Sequence, residues 1–424
     1  MANPIDVPSS PCSQKIADDL EQPLLLPLRR HSQSTSNCVT FLRTCFNSTN
    51  ALSGIGVLSM PYALSQGGWL SLALFFVVVV ICFYTGLLVQ RCMDADRCIK
   101  TYPEVGQLAF GYKGRIAIAI LMYLELYLVG VSLLILEGDN MDKMFPDTCV
   151  EFGSVSIKGK QLFVILSSLV ILPTTWSRNM TVIAYFSVIG VLASVLLLGS
   201  LLWTGIADTG FHWKGRALNM SGLPTTLGLY FVCFTSHAVF PTIYASMEER
   251  TRFPKVLVIS FVLCTFNYGL VAVLGYLMYG DEVESQVTLN LHAEKLYSKI
   301  AIYATFLTPF AKYALMITPV AMAIEDKLTF YGISPVLLVG TLLLISTMVI
   351  ALTVPFFGYV MTFIGSFLCI IISVLFPCIC YLKINKSSVK LGIETVGIVG
   401  IVIVGVVIAI MGTYSSVREI INSM

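Results

Sequence analysis

The chain has 424 residues, of which 56% are hydrophobic and only 12% charged, with a formal net charge of +2. Soluble domains carry about 25% charged residues, and a soluble protein of this size has no interior large enough for so much apolar surface. The composition excludes an ordinary soluble enzyme and a nucleic-acid-binding protein, and it sets the class as an all-α polytopic membrane protein.

In chain order, residues 1–37 are polar and rich in Ser and Pro, the composition of a disordered tail. Within it, Glu21, Leu25 and Leu26 fit the acidic dileucine spacing ExxxLL, a pattern read by sorting adaptors. Then come stretches apolar enough to cross a bilayer, each needing about 20 residues. They lie near 39–66, 68–90, 115–137, 161–177 and 181–206. A second set lies near 224–247, 254–279, 297–324, 334–353, 356–382 and 391–414. The expectation is eleven spans over 38–414 and a short tail over 415–424. The larger share of the 26 lysines and arginines falls on one side if the N-terminus is cytosolic, so the C-terminus is expected on the other side.

The first span contains NALSGIGVLSMP, residues 50–61. Glycine, serine and proline weaken a helix. Lipid offers no replacement for lost backbone hydrogen bonds, so a break here is expected to face protein or a cavity. Two readings stand for Gly54 and Gly56: a close helix-packing face, or a substrate site. The sixth span has a matching break at FTSHAVFP, residues 234–241. Two interrupted spans at corresponding positions of two halves point to a transporter site near the midplane. The spacing fits a five-plus-five inverted repeat with an added eleventh span. Freed N–H groups at Ser53, Gly54, Ile55 and Gly56 suit a carboxylate. Freed carbonyls at Thr235 and Ser236 suit an ammonium, and the side chains of Ser53, Ile55, Phe234 and Thr235 set only the rough size of the substrate. An amino acid carries both charges.

Three ionisable residues lie deep in spans: Glu125 in the third, His237 in the sixth break and Lys312 in the eighth. Charges at that depth are costly and point to function or to a fixed pair. Proton coupling through Glu125 and Lys312, with their spans in contact, stands beside a structural ion pair. His237 reads either as a proton acceptor or as a neutral cap on a frayed half-helix. The twelve cysteines have no metal or thioredoxin spacing and read as small apolar side chains. No metal and no cofactor are expected. GxxxxGK[ST] and GxSxG are absent from the sequence, and no catalytic constellation is expected.

NSTNALSGIGVLSMPYALSQGGW, YLELYLVGVSLLILEGDNM, CFTSHAVFPTIYASM and KYALMITPVAMAIED together resemble the amino acid/auxin permease family, in its plant vacuolar amino-acid transporter branch. These stretches extend over most of residues 38–382. The resemblance implies the leucine-transporter fold, with the first and sixth spans unwound at the substrate. It implies proton-coupled movement of neutral amino acids, with antiport at the vacuole as the leading reading. In that fold a cation site lies between the first and eighth spans, and the ammonium of Lys312 is expected to take the place of a sodium ion there. Plasma-membrane symport of amino acids or auxin-like compounds is the alternative within the class. A non-transporting amino-acid sensor is the rival outside it.

Overall fold

The computed structural model describes residues 40–423 apart from 97, 153–154, 177–179, 293, 331–334, 355 and 386–391. The tail with Glu21, Leu25 and Leu26 lies outside the described residues. Among the described residues, eight helices are long and apolar enough to cross a membrane. They fall at the expected second to fifth, seventh and ninth to eleventh spans. At the three remaining positions stand two split helices and the helix Leu296–Phe330, which stays helical through Pro309 and Pro319.

The first split helix is Phe41–Leu52, then a 3-10 turn Ile55–Ser59, then Met60–Gly67. The second is Leu223–Cys233 followed by Phe240–Ser246. Both breaks therefore fall at the predicted residues. Proline sits in the first turn of both resumed helices, as Pro61 and Pro241, where its missing N–H is harmless.

Three boundaries differ from the sequence reading. The third span lies within a helix running from Tyr102 to Met144, with Gly111 at φ 68° marking a kink before the apolar part. Glu104 starts it by accepting the N–H groups of Lys100 and Thr101 at 2.7 and 3.0 Å. The tail expected at 415–424 continues the last helix, which runs Ile393–Ser423. Strands Cys149–Phe152 and Val155–Lys158 pair antiparallel between the third and fourth spans. The tenth span opens as the α-helix Phe357–Phe363, then winds as π-helix over Ile364–Cys369 and Ile371–Leu375.

Small residues let the helices close on one another. At Gly130 the third span meets Tyr313 and Ile317 of the eighth, so the expected contact between those two spans is present. Gly228 of the sixth span and Gly365 of the tenth bring two backbones together.

Candidate functional site

The first half of the broken first span ends with three consecutive carbonyls, at Ala51, Leu52 and Ser53. A helix C-terminus leaves such carbonyls without intrahelical donors and carries partial negative charge. Each receives a side-chain donor from a different span. The Ser236 hydroxyl, in the sixth-span break, donates to Ala51 at 2.9 Å. The Tyr268 hydroxyl of the seventh span donates to Leu52 at 2.7 Å. The Lys312 ammonium of the eighth span donates to Ser53 at 2.6 Å. The two breaks are thus joined directly, and Lys312 sits at the broken end of the first span.

The amide side of the break is partly engaged too. Gly54 N–H donates to the Tyr268 hydroxyl at 2.9 Å. Gly56 packs against the sixth span: a Cβ there would meet Cys233 Sγ at 2.7 Å. Gly54 is not tight, since a Cβ there would meet nothing nearer than 3.9 Å. The packing reading therefore holds for Gly56, while Gly54 leaves room beside the break.

In the sixth span only some of the break's carbonyls are taken within the turn. Ser236 carbonyl accepts Val239 N–H at 2.9 Å. Phe231 carbonyl accepts Phe234 N–H at 3.1 Å and the Thr235 hydroxyl at 2.8 Å. The carbonyls of Phe234 and Thr235 accept no hydrogen bond among the described residues. Phe234 is fully buried. Its ring stacks on Phe261 at 5.8 Å and meets Tyr268 edge-on at 5.6 Å.

Glu125 and Lys312 do not bond one another. The Cys369 thiol donates to Glu125 Oε1 at 3.4 Å. A cysteine of the tenth span thus holds the third-span carboxyl. His237 is fully buried and faces the second span, with Nε2 at 3.0 Å from the Cys82 carbonyl and 2.9 Å from the Thr85 hydroxyl. Its Nδ1 has no partner among the described residues. Of the three candidate proton groups, only Lys312 touches the first-span break.

A cavity of about 20 Å³ lies against the break, lined by Gly54, Ile55, Val57, Ser194, Thr305 and Lys312. Ligand pockets run to about 300–1,000 Å³. The arrangement is closed, with room for one water-sized group, so an amino acid enters only if the broken helices part.

Tyr268 and Cys369 were not singled out by sequence. Span seven reads as a largely apolar helix in which Tyr268 is one of three tyrosines, with Thr265 and Asn267 beside it, and a cysteine in the tenth span reads as a small hydrophobe.

The family model for transmembrane amino acid transporter proteins matches residues 38–418. The Arabidopsis thaliana amino acid transporter AVT1I is 49% identical over 91% of this chain and 96% of its own. AVT1J from the same plant is 44% identical over 99% of both chains. The crystal structure of MhsT in complex with L-phenylalanine superposes with a TM-score of 0.59 at 10% identity, covering 88% of this chain and 98% of that one. That likeness carries the leucine-transporter fold, with its broken first and sixth helices. The relatives are transporters and not enzymes, and this chain is an integral membrane protein of amino-acid transport. By family match, identity and coverage, the chain belongs to the transmembrane amino acid transporter family, in the branch that holds the Arabidopsis AVT1 transporters.

Proposed function

We propose that the protein is a proton-coupled secondary transporter of neutral amino acids, working as an H+/amino acid antiporter at the vacuole. The observation that carries the coupling is the Lys312 ammonium, 2.6 Å from the Ser53 carbonyl at the broken end of the first span. A positive charge held by a half-helix C-terminus does the work of a bound metal cation. A lysine can give up its charge by losing a proton, which a sodium ion cannot. Proton release from Lys312 removes the charge and weakens its bond to the Ser53 carbonyl, which loosens the first span from the eighth.

In this reading the substrate lies between the two breaks. Its carboxylate meets the amides of Gly54, Ile55 and Gly56; Ser53 N–H, expected to be free, instead stays bonded to the Thr49 carbonyl at 2.8 Å. Its ammonium meets Thr235 and Ser236, and its side chain lies by Phe234. Glu125, held by the Cys369 thiol at 3.4 Å, takes part in the proton coupling. His237 anchors that break to the second span. The N-terminus is cytosolic, and Glu21, Leu25 and Leu26 direct the protein to the endomembrane through a sorting adaptor.

The test uses purified protein in liposomes with imposed pH gradients and a panel of radiolabelled neutral amino acids. Accumulation into an acidic lumen that collapses with a protonophore is the expected result. Accumulation driven from an acidic exterior replaces antiport with symport. Uptake that needs a sodium gradient overturns proton coupling, and absence of any uptake by inserted, folded protein overturns transport itself.

The anchoring role of His237 makes its own prediction. His237→Leu removes the partner of Thr85 and the Cys82 carbonyl and is expected to lower stability by about 1–3 kcal/mol. Thermal unfolding in detergent measures this. The pH profile of transport by the surviving protein stays that of the wild type, whereas a shifted profile assigns the proton to His237.

A further inference from the structure

Tyr268 belongs to the helix Phe253–Tyr279 and is fully buried. Its single hydroxyl oxygen serves both sides of the first-span break, accepting from Gly54 N–H at 2.9 Å and donating to the Leu52 carbonyl at 2.7 Å. The two residues it joins flank Ser53, where the helix comes apart. The ring is steadied edge-on by Phe234 of the sixth-span break. A residue of the seventh span therefore closes the amide that the break would otherwise present.

An amide hydrogen points at one strong acceptor at a time. A carboxylate approaching Gly54 N–H has to take the place that the phenolic oxygen fills. It is the better acceptor, because charge-assisted hydrogen bonds are about twice as strong as neutral ones. The side of Gly54 is open to such an approach, with no atom within 3.9 Å of a Cβ position. We infer that Tyr268 holds the place of the substrate carboxylate at Gly54 N–H while the site is closed, and yields it when substrate binds. The hydroxyl keeps its bond to the Leu52 carbonyl throughout, so the half-helix end stays capped. Tyr268 is in this sense a positioning residue that sets affinity by competing with the substrate. The inference rests on the proposed reading of the first break as the carboxylate site.

Tyr268→Phe removes the competitor and leaves the ring. The assay is proteoliposome uptake of the neutral L-amino acid that the wild type transports best. The amine lacking its carboxylate serves as a competing inhibitor. The expected result is a KM lowered about fivefold, the worth of one net hydrogen bond, with a lower maximal rate because release is slower. Inhibition by the amine stays unchanged. Loss of the Leu52 cap lowers thermal stability of free and loaded protein alike and leaves KM where it was, so a purely structural tyrosine gives no KM shift. An unchanged or raised KM, or an equal shift for the amine, overturns the inference while wild-type transport stands. Absence of wild-type uptake overturns the transport reading and the inference together.

Where Tyr268→Phe does not reach the membrane, 3-fluorotyrosine placed at 268 by nonsense suppression keeps ring and hydroxyl. Its fluorine resonance is expected to move on saturation with the amino acid and not with the amine. A resonance unmoved by the amino acid overturns the inference.

Discussion

Lys312→Ala is expected to abolish amino-acid uptake driven by a pH gradient, in protein that still reaches the membrane. The ammonium donates to the Ser53 carbonyl at 2.6 Å, at the negative end of a half-helix. A hydrogen bond to a charged group contributes about 1.5–3 kcal/mol, so its loss weakens the closed arrangement by roughly one to two orders of magnitude. Alanine supplies neither a donor nor a charge, and no proton can then be traded at that place. Net flux no longer follows the gradient. Exchange of labelled for unlabelled amino acid across the same liposomes needs no net proton movement and is expected to survive in part. Uptake and counterflow measured on one preparation separate coupling from substrate binding. Full gradient-driven uptake by Lys312→Ala at wild-type abundance removes Lys312 from the coupling mechanism.

The breaks were legible in the sequence because helix-weakening residues cluster there. Ser53 and Gly54 in NALSGIGVLSMP, and Thr235 to His237 in FTSHAVFP, are where the two helices come apart. Lys312 was legible because a lysine deep in a span needs a reason. Its partner was less so. Sequence order places the third and eighth spans at corresponding positions, and they do touch at Gly130. Yet Glu125 is bonded to Cys369 and Lys312 to Ser53. Which face of a helix a residue takes depends on local winding. The π-turns of the tenth span rotate Cys369 in a way that no apolar periodicity records. Tyr268 escaped for a related reason. Its two bonds reach residues more than 200 positions away, and it shares its span with Tyr276 and Tyr279, so residue type alone does not single it out. The strand pair at 149–158 was missed because its strands are four residues each, too short for alternation to stand out.

The same π-helical turn predicts the largest effect on folding. Gly365 lies in the segment Ile364–Cys369, and a Cβ added there would overlap the carbonyl oxygen of Gly228 and come within 2.6 Å of its carbonyl carbon. These are backbone atoms of the sixth span and cannot rotate aside. In the reverse direction, a Cβ at Gly228 would meet the Thr362 carbonyl at 2.8 Å. Overpacking a core costs about 1–3 kcal/mol where side chains can yield, and more where they cannot. Gly365→Ala is therefore expected to lower stability by about 3 kcal/mol or more, read as lost abundance and a lower unfolding temperature in detergent. Gly400→Ala is the control, since a Cβ there meets nothing within 4 Å and alanine is the better helix former. Equal stability of the two variants would sink the close crossing of the sixth and tenth spans. The consequence reaches the site, because one short segment carries both Gly365 and Cys369. The thiol reaches Glu125 only while the crossing holds the tenth span in place. Gly365→Ala protein that survives should therefore lose transport beyond what its abundance explains, since shifting that segment also shifts the thiol bonded to the third-span carboxyl.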